Sequence, residues 1–164
     1  LRELDFKPIV PKKVFLAAYS LHDIVSTIGD ALLEAEGFTV EKFGAECREE
    51  DVWEHFYCRP DRKVYRDSEL LCLLDYKSKT RELYIINERE RLAYMYYSEK
   101  FNVPCWIMLF IVDLKTRRIV EIKALNLNEV EPIYKFFKWN NIVAKFSKDD
   151  FIPVEGFIEW LHSR

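Results

Sequence analysis

Two unbroken apolar runs of strand length constrain this chain more than anything else in it: 70–74 (Leu-Leu-Cys-Leu-Leu after Glu69) and 105–112. Neither approaches the roughly 18 residues of a membrane span. A run without alternation has no face to offer water, so each reads as a central strand covered on both sides. Between them a helix is expected over 87–100, where Asn87 and Glu90 form a capping box and Leu92, Met95 and Tyr96 make the inner stripe. A first helix is expected over 20–36, with Leu21, Ile24, Val25, Ile28, Leu32 and Leu33 at helical spacing and Gly37 as its stop. Residues 38–43 alternate as a strand, 51–58 are aromatic and strand-like, and 59–69 are charged and turn-like. After the second apolar run come a strand over 119–125 and a helix from the Asn128/Glu131 capping box to about 139. A strand candidate over 142–146 and an amphipathic stretch over 154–161 complete the tail. The order is α-β-β-β-α-β-β-α plus a tail, an α/β domain with a central mixed β-sheet flanked by helices.

At 164 residues the chain is one domain, read as a core over 1–127 with a short N-terminal arm and a C-terminal extension over 128–164 packed on it. Twenty-five Lys and Arg against 28 Asp and Glu leave a net charge of −3, which excludes nucleic-acid binding by bulk charge and demands a local basic patch instead. Cys47, Cys58, Cys72 and Cys105 are widely spaced, with no CxxC pair, so neither a disulfide framework nor a zinc ribbon is expected. Buried reduced thiols point to a cytoplasmic compartment, and the first residues show no signal-peptide pattern. Gln is absent while Lys, Glu, Arg and Ile abound, a bias found in proteins of high-temperature organisms.

Asp75-Tyr76-Lys77 follows the first apolar run directly, which is a costly place for charges. Residues two apart share a strand face, so Asp75 and Lys77 are expected to point with Leu71 and Leu73 and must pair or hold an ion. Asp51 opens the preceding strand candidate. A hairpin of 51–58 with 70–77 would bring Asp51 opposite Asp75 or Lys77, and two converging carboxylates call for a cation such as Mg²⁺. Such a site suits metal-assisted hydrolysis of a phosphodiester. Asp or Glu followed two residues on by Lys occurs five times, and Glu121-Ile122-Lys123 is the serious rival. Pro60-Asp61 offers another partner: a tighter hairpin turning at Asp67-Ser68 would place Asp61 opposite Asp75.

From Leu21 to Val112 the succession resembles the PD-(D/E)XK nuclease superfamily, and within it the archaeal Holliday-junction resolvases. The match runs through Gly37-Phe38-Thr39-Val40, Asp51-Val52-Trp53, Leu73-Leu74-Asp75-Tyr76-Lys77, Leu83-Tyr84, Glu99-Lys100-Phe101 and Val103-Pro104-Cys105-Trp106-Ile107. The resemblance implies a restriction-endonuclease-like fold and a metal-dependent DNA endonuclease that cuts branched or junction DNA as a homodimer. It implies Asp51, Asp75 and the Tyr76 carbonyl as ligands of Mg²⁺, with Mn²⁺ able to substitute, and Lys77 as the residue serving the attacking water. The family's first-helix acid has no direct counterpart, which leaves Asp23 or Asp30 for that place and Asp61 as a further acid. Arg59, Arg62, Lys63 and Arg66 form a basic turn that is either a phosphate-contacting loop or a solvated hairpin tip. The reading from another class is a catalytically silent nuclease fold that acts as a nucleic-acid- or protein-binding scaffold.

Overall fold

A computed structural model describes residues 12–44, 58–80, 84–138 and 141–164. In chain order the elements are α1 (Lys12–Ala35), β1 (Thr39–Lys42), β2 (Arg62–Arg66), β3 (Glu69–Lys79), β4 (Ile85–Asn87), α2 (Glu88–Phe101), β5 (Cys105–Asp113), β6 (Arg118–Asn126), β7 (Tyr134–Lys138), β8 (Asn141–Lys145), β9 (Ile152–Pro153) and α3 (Val154–His162). Six strands form a mixed sheet in the order β1-β2-β3-β5-β6-β9, and β4-β8-β7 form a second, antiparallel sheet.

The two apolar runs lie side by side at the centre of the large sheet, parallel, from Leu73 beside Cys105 to Lys79 beside Ile111. A parallel pair needs a crossover, and α2 supplies it. On β5 the side chains of Trp106, Met108, Phe110 and Val112 join Val25 and Leu33 of α1 and Phe157 and Leu161 of α3 on one face. Ile107, Leu109 and Ile111 join Ala93, Tyr94 and Tyr97 of α2 and Ala144 of β8 on the other. This two-sided cover is why both runs lack alternation.

Several expectations are corrected. The first helix begins at Lys12, not near residue 20. The charged stretch read as a long turn contains β2, and the hairpin with β3 turns at Asp67-Ser68, with Asp67 at φ 54° in the left-handed region that Asp tolerates. The strand paired with β3 on this side is therefore Arg62–Arg66; of the strand candidate over 51–58, residues 51–57 lie outside the described residues. Leu71 does not share a face with Asp75. It is the extra residue of a β-bulge, between the Val64–Cys72 and Tyr65–Leu70 pairs, and it packs on the α1 side.

Helix α2 is rotated by about one residue from its expected phase. Ala93, Tyr94 and Tyr97 face inward, and Leu92 and Tyr96 are 49% and 46% exposed. Its inner face also carries Glu88, Glu90 and Arg91, so hydrophobic periodicity alone points to the wrong side. The Asn87 cap holds: its side chain accepts from the Arg89 amide, and Asn102 closes the helix at φ 53°.

The expected helix over 128–139 is absent; Tyr134–Lys138 is strand β7, paired with β8. Asn128, the supposed cap, instead accepts from the Cys105 amide through Oδ1 (2.8 Å) and donates through Nδ2 to Ser98 Oγ (2.7 Å). Cys58, Cys72 and Cys105 are buried thiols, and Cys47 lies outside the described residues. No helix among the described residues is long and apolar enough to cross a membrane.

Candidate active site

Strand β3 outruns β2, and the site is built on the overhang. The last ladder pair is Arg62 with Leu74. Continuing that register puts Pro60 opposite Tyr76, and proline has no N–H to donate to the Tyr76 carbonyl. The Tyr76 backbone is therefore satisfied by side chains. Its N–H donates to Asp61 Oδ2 at 2.9 Å, and its carbonyl accepts from His22 Nε2 of α1 at 3.1 Å. The Asp61 amide donates to Asp75 Oδ1 at 3.3 Å, and His22 Nε2 also lies 3.3 Å from Asp61 Oδ2. A Pro-Asp at the start of one strand and an Asp-Tyr-Lys at the end of its neighbour are thus brought to one point by the tight turn at Asp67-Ser68.

Asp75 and Lys77 project on the α2 side. Lys77 Nζ is 3.1 Å from Asp75 Oδ2 and 2.7 Å from Glu90 Oε2. All three side chains are less than a tenth exposed. Two carboxylates thus converge on one ammonium in a buried site, where charges persist only when partnered. Burial pushes the Cys105 thiol well up, and the negative charge of Asp75 adds to it.

Helix α1 lies over the other side of Tyr76. The Tyr76 ring packs beneath Gly29, where a Cβ would overlap it, and its hydroxyl donates to Asp30 Oδ1 at 2.7 Å. Burial first, and then the bond to Asp30, raise the Tyr76 phenol above its ordinary range. Asp30 also takes Arg62 in a fork, with Nε at 2.9 Å and Nη2 at 3.1 Å. Burial works against that cation, but the hydrogen bond and charge of Asp30 outweigh it, and Arg62 is held above its usual value. The stripe His22, Ser26, Gly29, Leu33 thus sets α1 against β3, with Ser26 Oγ bonded back to the His22 carbonyl.

The residues singled out from sequence are distributed as follows. Asp75, Lys77, the Tyr76 carbonyl and Asp61 come together. Asp51 lies outside the described residues. Asp30 is committed to Arg62 and Tyr76, and Asp23 is exposed. The four basic candidates separate. Arg59 and Lys63 flank Asp61, their cationic heads over the Phe43 ring at 5.4 and 4.6 Å, and Lys63 is also 4.3 Å from the Phe101 ring. Arg62 is half-buried and held by Asp30 of α1, while Arg66 reaches the His162 carbonyl at 3.4 Å. The rival Glu121 and Lys123 sit 3.7 Å apart on β6, with Lys123 bonded to the Tyr84 hydroxyl. His22 and Glu90 carry no motif; the phase of α1 hints at His22, but Glu90 was legible only as a cap residue.

Among the described residues no three His, Cys, Asp or Glu side chains form a ready metal cage. Mg²⁺ does not require one, because it is commonly held by one or two carboxylates with several waters retained. Asp61, Asp75 and the Tyr76 carbonyl are hard oxygen donors of that kind, and they fit such an ion.

No family model matches the chain, and no curated protein matches it. Among solved structures, the Holliday junction resolvase Hjc of the archaeal hyperthermophile Archaeoglobus fulgidus is similar, with a TM-score of 0.57 and 9% identity over 84% of this chain and 95% of that one. The likeness is one of fold: a central mixed sheet flanked by helices.

Proposed function

We propose that the chain is a divalent-metal-dependent DNA endonuclease. One observation carries the reading: two aspartates, a strand carbonyl and a lysine meet where β3 overhangs β2, in a fold similar to that of a resolvase. Asp61, Asp75 and the Tyr76 carbonyl would hold the cation. Bound there, Mg²⁺ or Mn²⁺ supplies polarisation of the scissile phosphate and a lower pKa for a water nearby.

The protein's own groups do the rest. Lys77, fixed by Glu90, presents its ammonium beside Asp75, where it orients the attacking water and offsets charge on the phosphorane-like transition state. Glu90 would hold Lys77 in place with Asp75 engaged by a cation. Arg59 and Lys63 supply the positive ledge beside Asp61 that a phosphate backbone needs in a protein of net charge −3. A four-way or otherwise branched DNA, cut by a twofold dimer, is the substrate proposed from the likeness to the resolvase.

The test is cleavage of linear, nicked, flapped and four-way DNA in Mg²⁺ and Mn²⁺, with Asp75→Asn and Lys77→Ala beside the parent. Cleavage of branched DNA that falls by at least about a hundredfold in both variants is expected. Undiminished cleavage by Asp75→Asn would overturn the proposal. Metal-independent binding without any cleavage would establish the scaffold reading instead.

A further inference from the structure

Each of the two sheets ends in two strand edges, and three of the four are protected. An uncovered edge offers a row of unpaired N–H and C=O groups to any other strand. In the large sheet, β1 is four residues long and carries exposed Glu41 and Lys42, while β9 is two residues ending in Pro153, which has no N–H to give. In the second sheet, β4 is three residues, all buried. Strand β7 is the exception. It spans five residues, Tyr-Lys-Phe-Phe-Lys, pairs with β8 along one edge, and has no described strand along the other. Tyr134 is 54% exposed and Phe137 72%, the highest value for a large apolar side chain among the described residues.

We propose that β7 pairs antiparallel with β7 of a second copy about a twofold axis, joining two three-stranded sheets into one of six strands. This names the surface of the twofold dimer proposed above, and it rests on that reading only for what the dimer does. The residues of β7 select the occupant. A twofold axis that keeps the sheet continuous stands perpendicular to it, so one residue must face its own copy. Centred on Phe136, the pairs are Tyr134 with Lys138 and Lys135 with Phe137, each made twice, and Phe136 with itself. All five residues then pair, and every lysine faces an aromatic ring, a favourable cross-strand partner. Centring on Lys135 would oppose two lysines, and centring on Phe137 would leave Tyr134 and Lys135 outside the pairs formed within the strand. Lys135 lies toward α2, with Nζ 3.3 Å from Glu88 Oε1. Phe137 shares its face, so the Lys135–Phe137 pairs fall on the α2 side of the joined sheet.

The experiment is analytical ultracentrifugation of the full chain over a wide range of concentration, beside Phe137→Lys and Phe137→Glu. The parent is expected to dimerise as concentration rises. Phe137→Lys sets a lysine opposite the partner's Lys135 at two places and is expected to weaken the dimer by about tenfold or more. Phe137→Glu offers that lysine a carboxylate and should keep the dimer. Equal loss in both variants would show an apolar contact without this register and overturn the pairing. Phe137 is exposed, so neither change threatens the fold. Cross-linking reads the register directly. Cys58, Cys72 and Cys105 are buried, and Cys47→Ser removes the remaining thiol. In that background Phe136→Cys is expected to form a disulfide with its own copy under mild oxidation, because directly opposed Cβ atoms stand about 4.5–5.5 Å apart. Tyr134→Cys is expected to cross-link only when mixed with Lys138→Cys. A parent that stays monomeric at every concentration, or a dimer without these cross-links, refutes the pairing. If that protein still cuts branched DNA, the nuclease reading stands and only its interface is refuted. Cross-links at the expected positions without any cleavage would refute the nuclease reading and leave the pairing standing.

Discussion

The ammonium of Lys77 on β3 is held 2.7 Å from the carboxylate of Glu90 on α2, across the seam between the central sheet and the crossover helix. Charges so deeply buried persist only when partnered. This pair explains the phase of α2: the helix gives up inward placement of Leu92 to bring Glu90 over the sheet.

Removing one partner of a buried pair typically costs about 3–5 kcal/mol. Glu90→Ala leaves Lys77 its contact with Asp75, so the loss is expected near the lower end of that range. A double-mutant cycle with Lys77→Met and Glu90→Leu, read by urea unfolding, should give a coupling of about 1–3 kcal/mol. Additive effects would show that the two do not interact in solution.

Asp61, whose amide bonds to Asp75 Oδ1, is the second acid we propose among the described residues. Asp61→Asn keeps an oxygen to accept the Tyr76 amide but lacks the charge, so it is expected to leave the fold intact and weaken divalent-cation binding by about tenfold or more. Calorimetric titration of the variant with Mg²⁺ and Mn²⁺ checks this, and undiminished affinity would refute the assignment of Asp61.

Gly29→Ala places a methyl against the Tyr76 ring. The gain in helix propensity is about 1 kcal/mol, whereas overpacking a fixed aromatic ring costs about 1–3 kcal/mol. The overlap should win, because the ring is also tethered through its hydroxyl to Asp30 and cannot step aside. Thermal unfolding should show a lower Tm for the variant; a higher one would mean that α1 does not approach β3 so closely.

Burial raises the thiols of Cys72 and Cys105. An unfolded thiol ionises near pH 8.5. The folded chain keeps these protons to higher pH, so stability is full below about pH 8.5 and declines as pH rises above it. Urea midpoints at pH 7.5 and 9.5 should fall in the parent and fall less in Cys72→Ala and Cys105→Ala. Both thiols should also resist alkylation in the native state at pH 8, and rapid labelling would contradict their burial.

The local signals that proved legible were those in which one interaction outweighs the rest. The unbroken apolar runs could only be central strands, and Asn87 capped α2 as its side chain requires. The same local rules failed where a distant partner competed for the residue. Asn128 is a good N-cap in isolation, but the Cys105 amide and the Ser98 hydroxyl engage its side chain, and the residues after it pair with β8. The inward face of α2 could not be read from apolar periodicity because a charge on another element selects it.

By itself the sequence determined that a costly Asp-Tyr-Lys must follow a doubly covered apolar run, that a helix must carry the chain across to a second such run, and that any nucleic-acid contact must be local in a chain of net charge −3. Only the tertiary structure decided which groups meet Asp75. Shortening the hairpin to the Asp67-Ser68 turn changed the register and brought Asp61 there. Pro60 then ended the ladder, so the Tyr76 backbone turned to Asp61 and His22 for its hydrogen bonds. Register and helix docking are settled by the sum of contacts along whole elements, and a residue such as His22 or Glu90 acquires its place only when those elements have closed on one another.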